Sequence, residues 1–176
     1  IKYRPFLVKE HKVVLTLLDA DIEEMARGVT ELVDVCTFNQ LDVDKLSHFD
    51  IEYIFLQLRS KSIGEVVDLI VNCPCGEQSQ HTVSLNDLVI EKTEGFTKNI
   101  KITDKIGIVM RYPKFGEIAK LYTDKFDADN AIDVVKSCIE SIYEGEKVSE
   151  RDSFTDKELD EFVNSLSKEQ FDKLEK

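Results

Sequence analysis

Apolar side chains recur every three or four residues between Phe49 and Gly64, and this spacing predicts a helix. Asp50 is the predicted N-terminal cap, and Gly64 can adopt the left-handed conformation that ends a helix. The stripe is broad, so we expect this helix to be covered on more than one side and to organise the N-terminal part of the chain. The residues predicted to form its core face are Ile51, Ile54, Phe55 and Leu58.

Two further helical patterns precede this helix. The first, Lys9 to Ala20, predicts a helix that buries Val13, Val14, Leu17 and Leu18. The second begins after a predicted cap at Asp21, and its apolar face holds Ile22, Met25, Val29, Leu32, Val33 and Cys36. The chain before them, Ile1 to Val8, alternates in polarity and contains Pro5, which predicts an edge strand or an extended arm.

The periodicity changes after Gly64. Glu65 to Asn72 is rich in strand-forming residues, and His81 to Leu85 alternates between polar and apolar positions. The turn Cys73-Pro74-Cys75-Gly76 separates the two segments, so together they predict a β-hairpin. The alternation in residues 97–112 predicts a second hairpin.

Helical spacing returns after Pro113. Lys114 to Thr123 predicts a short helix, and Asp127 or Asp129 is the predicted cap of a longer helix that runs to Gly145. Two capping boxes then predict a pair of short tail helices, Thr155 with Glu158 and Ser167 with Gln170.

These patterns predict an α+β fold, with helical N-terminal and C-terminal parts around a central antiparallel β-hairpin section. Composition divides the chain into an N-terminal arm and helices (1–64), the β-hairpin section (65–112) and C-terminal helices (113–176), with a single domain as the alternative. The first residue is Ile1 rather than Met, and the last helix has few turns before Lys176. We therefore expect the native chain to continue beyond both residues.

Charge narrows the expected partners to proteins. The formal net charge of −12 disfavours binding to the phosphate backbone of nucleic acids. No apolar run approaches the roughly 20 residues that a membrane-spanning helix needs.

Basic residues cluster near the N-terminus of this otherwise acidic chain and form a candidate partner-binding patch, with a solvated helix face as the alternative. They are Lys2, Arg4, Lys9 and Lys12.

The turn between the first two strands carries the strongest candidate for metal chemistry. Cys73, Cys75 and His81 are candidate zinc ligands, because zinc prefers thiolate and imidazole groups. The spacing is Cys-x-Cys, one residue shorter than in a zinc knuckle, so it favours a turn with free thiols over a zinc site. The redox motif is Cys-x2-Cys at the start of a helix, so Cys-x-Cys in a hairpin also disfavours a redox role. Four cysteines are too few for a secreted disulfide framework and favour a reducing cytoplasm.

No pattern typical of catalysis is present. The three histidines have no serine or cysteine nucleophile motif near them, and the seven glycines are scattered rather than grouped in a phosphate-binding loop. We therefore expect no enzymatic activity and, apart from the zinc alternative, no cofactor.

Three segments resemble the baseplate hub subunit family of T-even-like contractile-tailed bacteriophages: Tyr3 to Glu10, Val43 to Leu46, and Phe49 to Glu65. The similarity continues through the Cys-Pro-Cys-Gly hairpin to the tail helices, so it covers most of the chain. Members of this family often carry Cys-x2-Cys-Gly in the hairpin, and the shorter spacing in this chain is a departure that counts against a family zinc site.

The resemblance implies a non-enzymatic protein-binding subunit or chaperone in assembly of the central hub of the tail baseplate. Its implied partners are other phage tail and baseplate hub proteins, met in the host cytoplasm during assembly or in the virion tail baseplate. The alternative interpretation is a zinc-ribbon-like adaptor or regulatory protein whose functional end is the hairpin.

Overall fold

The computed structural model of the protein describes residues 1–91, 95–119, 121 and 128–174. The chain divides into two compact units, residues 1–91 and 92–176. The described residues form helices and two antiparallel sheets of two and four strands, so the predicted α+β fold is confirmed. The division by composition at residues 64 and 112 stays a prediction.

Unit 1 consists of three helices followed by a β-hairpin. Its helices are α1 (Val8–Leu17), α2 (Ile22–Cys36) and α3 (His48–Ser62), and its strands are β1 (Val66–Asn72) and β2 (Gln78–Ser84). The core residues come mainly from α2 and α3 and include Leu32, Val33, Cys36, Ile51 and Leu58, each at most 4% exposed. Leu85, just after β2, is buried at 4% exposure as well.

Helix α3 confirms the helix predicted at the centre of this unit, but it begins earlier. Ser47 is the N-terminal cap and Asp50 lies three positions further on, where it completes a capping box. The Asp50 amide donates to Ser47 Oγ, and the Asp50 carboxylate accepts from the Ser47 amide at 3.2 Å. Gly64 follows the helix with a φ of +149°, as predicted for its end. Within the helix, Leu58 is buried, whereas Phe55 is only half-buried.

Helix α1 differs from its prediction in what it buries. Val13 and Leu18 were expected in the core, yet they are 40% and 76% exposed, and Val14 and Leu17 are half-buried. The only fully buried residue of α1 is Glu10. The helix contacts α2 through Leu17, which lies against Gly28. Because apolar residues occur on several sides of α1, this contact covers only some of them.

The first hairpin is confirmed, and its return strand begins at Gln78, three residues before the predicted His81. β1 and β2 pair antiparallel from Val66↔Ser84 to Asn72↔Gln78, and the five residues between them form the turn. Nearly all of both strands is exposed, and the partly buried positions lie towards the base of the hairpin.

Unit 2 is built around the four-stranded sheet. Its strands are β3 (Asn99–Lys101), β4 (Ile106–Met110), β5 (Ile139–Glu144) and β6 (Lys147–Glu150), in that order across the sheet. Its helices are α4 (Phe115–Ala119), α5 (Ala128–Ser137), α6 (Asp156–Asn164) and α7 (Lys168–Phe171). Both predicted capping boxes, at Thr155 and Ser167, are present at the starts of α6 and α7.

The long helix predicted up to Gly145 is wrong in its second half. Helix α5 ends at Ser137, and the chain continues as strand β5, which pairs with β4 from Ile106↔Glu144 to Met110↔Ile139. The apolar residues 138, 139 and 142 have helical spacing. The pairing with β4 makes this segment a strand, and a register shift between Val109 and Met110 brings Ile139 opposite Met110 and Ile142 opposite Ile108. The candidate cap Asp127 and residues 120, 122 and 123 of the predicted short helix lie outside the described residues, and Asp129 lies inside α5.

Candidate protein-binding surface

The N-terminal arm, residues 1–7, is extended and bonded to the helices of unit 1. The Arg4 amide donates to the Cys36 carbonyl at the end of α2 (3.0 Å), and the Phe6 amide donates to Ser62 Oγ at the end of α3 (2.8 Å). The rings of Phe6 and Phe55 lie 6.2 Å apart. These contacts confirm an extended arm and hold it against α2 and α3.

A charged pair joins this arm to α1. Both Arg4 Nη atoms donate to the Glu10 carboxylate, at 3.2 and 3.0 Å, and the same carboxylate accepts from the Leu7 amide at 2.8 Å. The Glu10 side chain is only 5% exposed. The hydrogen bonds from Arg4 lower the pKa of Glu10 from 4.5 to about 2, and Glu10 in turn raises the pKa of Arg4. A buried carboxylate needs such partners, and the bond from the Leu7 amide also caps the first turn of α1.

The outward side of α1 carries apolar residues in a row. Val8 and Leu15 are 74% and 52% exposed and lie two helical turns apart, with exposed Lys12 between them. Leu18, 76% exposed, and Lys9 flank the row. We call these five residues the outer face of α1: Val8, Lys9, Lys12, Leu15 and Leu18. An exposed apolar row bordered by charge is typical of a protein-binding surface.

The four basic residues of the predicted patch divide into two groups. Lys2, Lys9 and Lys12 are exposed, and two of them belong to the outer face of α1. Arg4 is 23% exposed at its side chain and its guanidinium is bonded to Glu10, so it positions the arm. Lys9 Nζ lies 3.5 Å from the same carboxylate while remaining 72% exposed.

The sequence pattern did not single out the apolar members of this surface. Helix α1 has the run Val13-Val14-Leu15 followed by Leu17, which places apolar residues on more sides than one neighbouring helix can cover. This surplus of apolar residues indicated that part of α1 would stay exposed. It did not show which side would stay exposed.

The hairpin turn brings Cys73 and Cys75 together and leaves His81 on β2. His81 pairs with Leu69 in the strand ladder, three residues along β2 from Gln78, which corresponds to about 10 Å. Its Nε2 lies 2.9 Å from Ser79 Oγ. Across residues 1–91, 95–119, 121 and 128–174, no group of three or more His, Cys, Asp or Glu side chains is arranged to hold a metal ion. Two thiols are fewer ligands than a structural zinc site uses, and zinc binding here stays a prediction.

The four free cysteines fall into two environments. A hydrogen bond with the Cys73 side chain lowers the pKa of the exposed Cys75 thiol. Burial raises the pKa of the Cys36 and Cys138 thiols. The thiols of the turn are therefore accessible to reagents, whereas the buried thiols of Cys36 and Cys138 are shielded.

Comparison with known protein families identifies the family to which this acidic chain belongs. The family model described as T4 bacteriophage base plate protein matches residues 1–176. The chain belongs to this family. A structural or assembly role in a phage baseplate follows from that membership, as does partnership with other phage tail proteins. The resemblance seen in the sequence is confirmed at this level.

Comparisons of the same baseplate protein with curated proteins and with solved structures gave no match. In the part of the chain that the structure describes, none of the helices has the length and apolar character needed to cross a membrane.

Proposed function

We propose that this baseplate protein is a non-enzymatic protein-binding subunit or chaperone in assembly of the central hub, and that it meets its partners in the host cytoplasm. The observation that carries the proposal is the outer face of α1, where apolar and basic side chains are exposed side by side. Membership in the baseplate family supports a binding role over catalysis.

The composition of the outer face indicates the partner surface that it fits. Val8, Leu15 and Leu18 offer apolar area, and removing such area from water is the main driving force of association. Lys9 and Lys12 border that area in a chain whose net charge is −12. The complementary surface is therefore an apolar groove with acidic residues at its rim, on another tail or hub protein.

The experiment is a binding measurement with purified hub proteins of the same phage, at low and high salt. Lys9→Glu and Lys12→Glu should weaken binding to one hub protein, and the loss should shrink as salt rises, because rim charges act mainly on encounter. Lys105→Glu, the same charge reversal at an exposed position in the β3–β4 turn, is the matched control and should bind as wild type does.

An equal affinity of wild type, Lys9→Glu and Lys12→Glu for every hub protein would refute the binding role of this surface. Weakening by Lys105→Glu to the same extent would show a general charge effect instead of a defined site.

A further inference from the structure

The tip of the β1–β2 hairpin carries two exposed thiols that the proposed binding surface does not use. Cys73 and Cys75 are exposed and free, whereas Cys36 and Cys138 are free and buried. One residue, Pro74, separates the two exposed cysteines. The chain therefore presents an adjacent dithiol to solvent and keeps its other two thiols inside.

Backbone hydrogen bonds shape the turn around these thiols. The Cys73 amide donates to the Glu77 carbonyl at 2.8 Å, and the Gly76 amide donates to the Cys73 carbonyl at 2.9 Å. Gly76 has a φ of +90°, a conformation that favours glycine. The Cys75 amide points at Cys73 Sγ, 3.5 Å away. The Cys73 sulfur thus lies against the backbone of Cys75.

Two cysteines at this separation are within reach of a disulfide bond. Cα atoms two residues apart are at most about 7 Å from each other even in a fully extended chain. Disulfide-bonded cysteines usually have Cα atoms about 4.4–6.8 Å apart. A turn shortens the extended span, so the bond can form without disturbing the Asn72↔Gln78 pair at the end of the strands.

We propose that Cys73 and Cys75 form a reversible disulfide across the hairpin tip by exchange with a small-molecule disulfide of the glutathione type. One cysteine thiolate attacks a sulfur of oxidised glutathione, whose S–S bond breaks and releases one glutathione thiolate. The second cysteine thiolate attacks the resulting mixed disulfide at the protein sulfur and expels the second glutathione. The two protein thiols are oxidised by two electrons, one oxidised glutathione is reduced to two thiols, and two protons pass from the protein thiols to glutathione.

This disulfide would act as a modification of the surface and not as a fold-stabilising bridge. The loop that it closes is very short, so it removes little conformational freedom from the unfolded chain. Exposed disulfides also have the higher reduction potentials typical of labile, regulatory bonds, and both cysteines here are exposed. The tip is thereby a redox-sensitive site, distinct from the Cys-x2-Cys motif of oxidoreductases.

The test is intact-mass analysis after exposure to oxidised glutathione. Reduced full-length protein, prepared with a chelator, is incubated with excess oxidised glutathione, acid-quenched, denatured and alkylated with N-ethylmaleimide. Wild type should carry no glutathione and take up two alkyl groups instead of four, and dithiothreitol should restore all four. Cys73→Ser and Cys75→Ser should each retain one glutathione, because neither can close the ring.

A double variant, Cys36→Ser with Cys138→Ser, is the control that removes two thiols elsewhere, and it should still lose both exposed thiols to the disulfide. The proposal is overturned if wild type accumulates glutathione on both exposed thiols, remains alkylated at four sites, or forms disulfide-linked dimers.

Discussion

The buried carboxylate of Glu10 makes the attachment of the arm sensitive to acid. Its pKa is about 2 in the folded chain, below its ordinary value of 4.5, so it contributes stability above about pH 4.5 that is lost as the pH falls towards 2. Glu10→Gln should lower the free energy of unfolding at neutral pH, and its difference from wild type should shrink across that acid range. Urea denaturation of both proteins between pH 7 and pH 2.5 measures this.

The exposed Glu31 on α2 serves as the control for this measurement, since Glu31→Gln removes a carboxylate from the same unit. A difference between Glu10→Gln and wild type that stays constant with pH would exclude titration of Glu10 as the cause.

Gly107 in β4 leaves room for the ring of Tyr143, and this can be tested by substitution. It pairs with Tyr143 of β5, and a Cβ atom at residue 107 would lie 2.0 Å from the Tyr143 ring. Gly107→Ala should destabilise the protein by about 1–3 kcal/mol, as overpacking does. Gly116→Ala in α4 should be neutral or stabilising, because among the described residues no heavy atom beyond its chain neighbours and its own helix backbone lies within 4 Å of the added methyl group.

Thermal denaturation of both glycine variants provides the comparison. Gly107→Ala should lower the stability of the Tyr143→Ala protein by less than it lowers the stability of wild type, since the ring that causes the clash is gone. Additive effects of the two substitutions would show that the ring is not the obstacle.

The hairpin turn leads to a third prediction at this scale. Protein purified without added metal should contain less than one zinc per chain, because Cys73 and Cys75 supply two ligands and His81 is bonded to Ser79 along β2. Elemental analysis of the purified protein measures the zinc content. One tightly held zinc per chain, lost in Cys75→Ser, would contradict the prediction and support the adaptor interpretation.

At the scale of elements, α3 and α1 both carry apolar residues, but those of α3 lie in the core and several of those of α1 are exposed. Leu58 in α3 is 1% exposed, and Leu15 in α1 is 52% exposed. Leu58→Ala should cost about 2–5 kcal/mol of stability, whereas the same truncation at Leu15 should stay within about 0.5 kcal/mol. Chemical denaturation midpoints of the two variants test this directly.

Measuring partner binding as well as stability separates the roles of α1 and α3. Leu15→Ala should weaken association with the proposed hub partner while folding is unchanged, because Leu15 belongs to the outer face of α1. If Leu58→Ala unfolds at the wild-type midpoint, α3 does not organise unit 1. If Leu15→Ala is strongly destabilised, α1 is a core helix after all.

At the scale of the whole molecule, each of the two units has its own core. Leu32, Val33 and Leu58 are buried within unit 1, and unit 2 has a separate buried cluster that includes Ile108, Ile139 and Leu159. Fragments 1–91 and 92–176 should therefore each fold alone. Fragment 113–176 should not, since β5 would lack its partner β4.

Circular dichroism and amide exchange of the three fragments test this prediction. Cooperative folding of residues 113–176 alone would support the division drawn from composition. Failure of residues 1–91 to fold would show that unit 1 depends on the rest of the chain.

What the sequence determined by itself were the local features. The boxes at Thr155 and Ser167, the cap at Asp21 and the first hairpin were all predictable, because each depends on residues a few positions apart. The box at Ser47 has the same short range, but it was missed in favour of a cap at Asp50. The exposed lysines of the proposed binding surface belong to the basic cluster that the sequence predicted, whereas Arg4 of that cluster is bonded to Glu10.

Only the tertiary structure decided which apolar residues are covered. The segment after Ser137 is a strand because β4 lies beside it, although its spacing also suits a helix. Val8 and Leu15 are exposed because α1 meets its neighbours along one side, and Arg4 is turned inward because Glu10 is buried there. Strand pairing and burial depend on groups that the chain brings together from separate segments, so the pattern along the sequence cannot specify them.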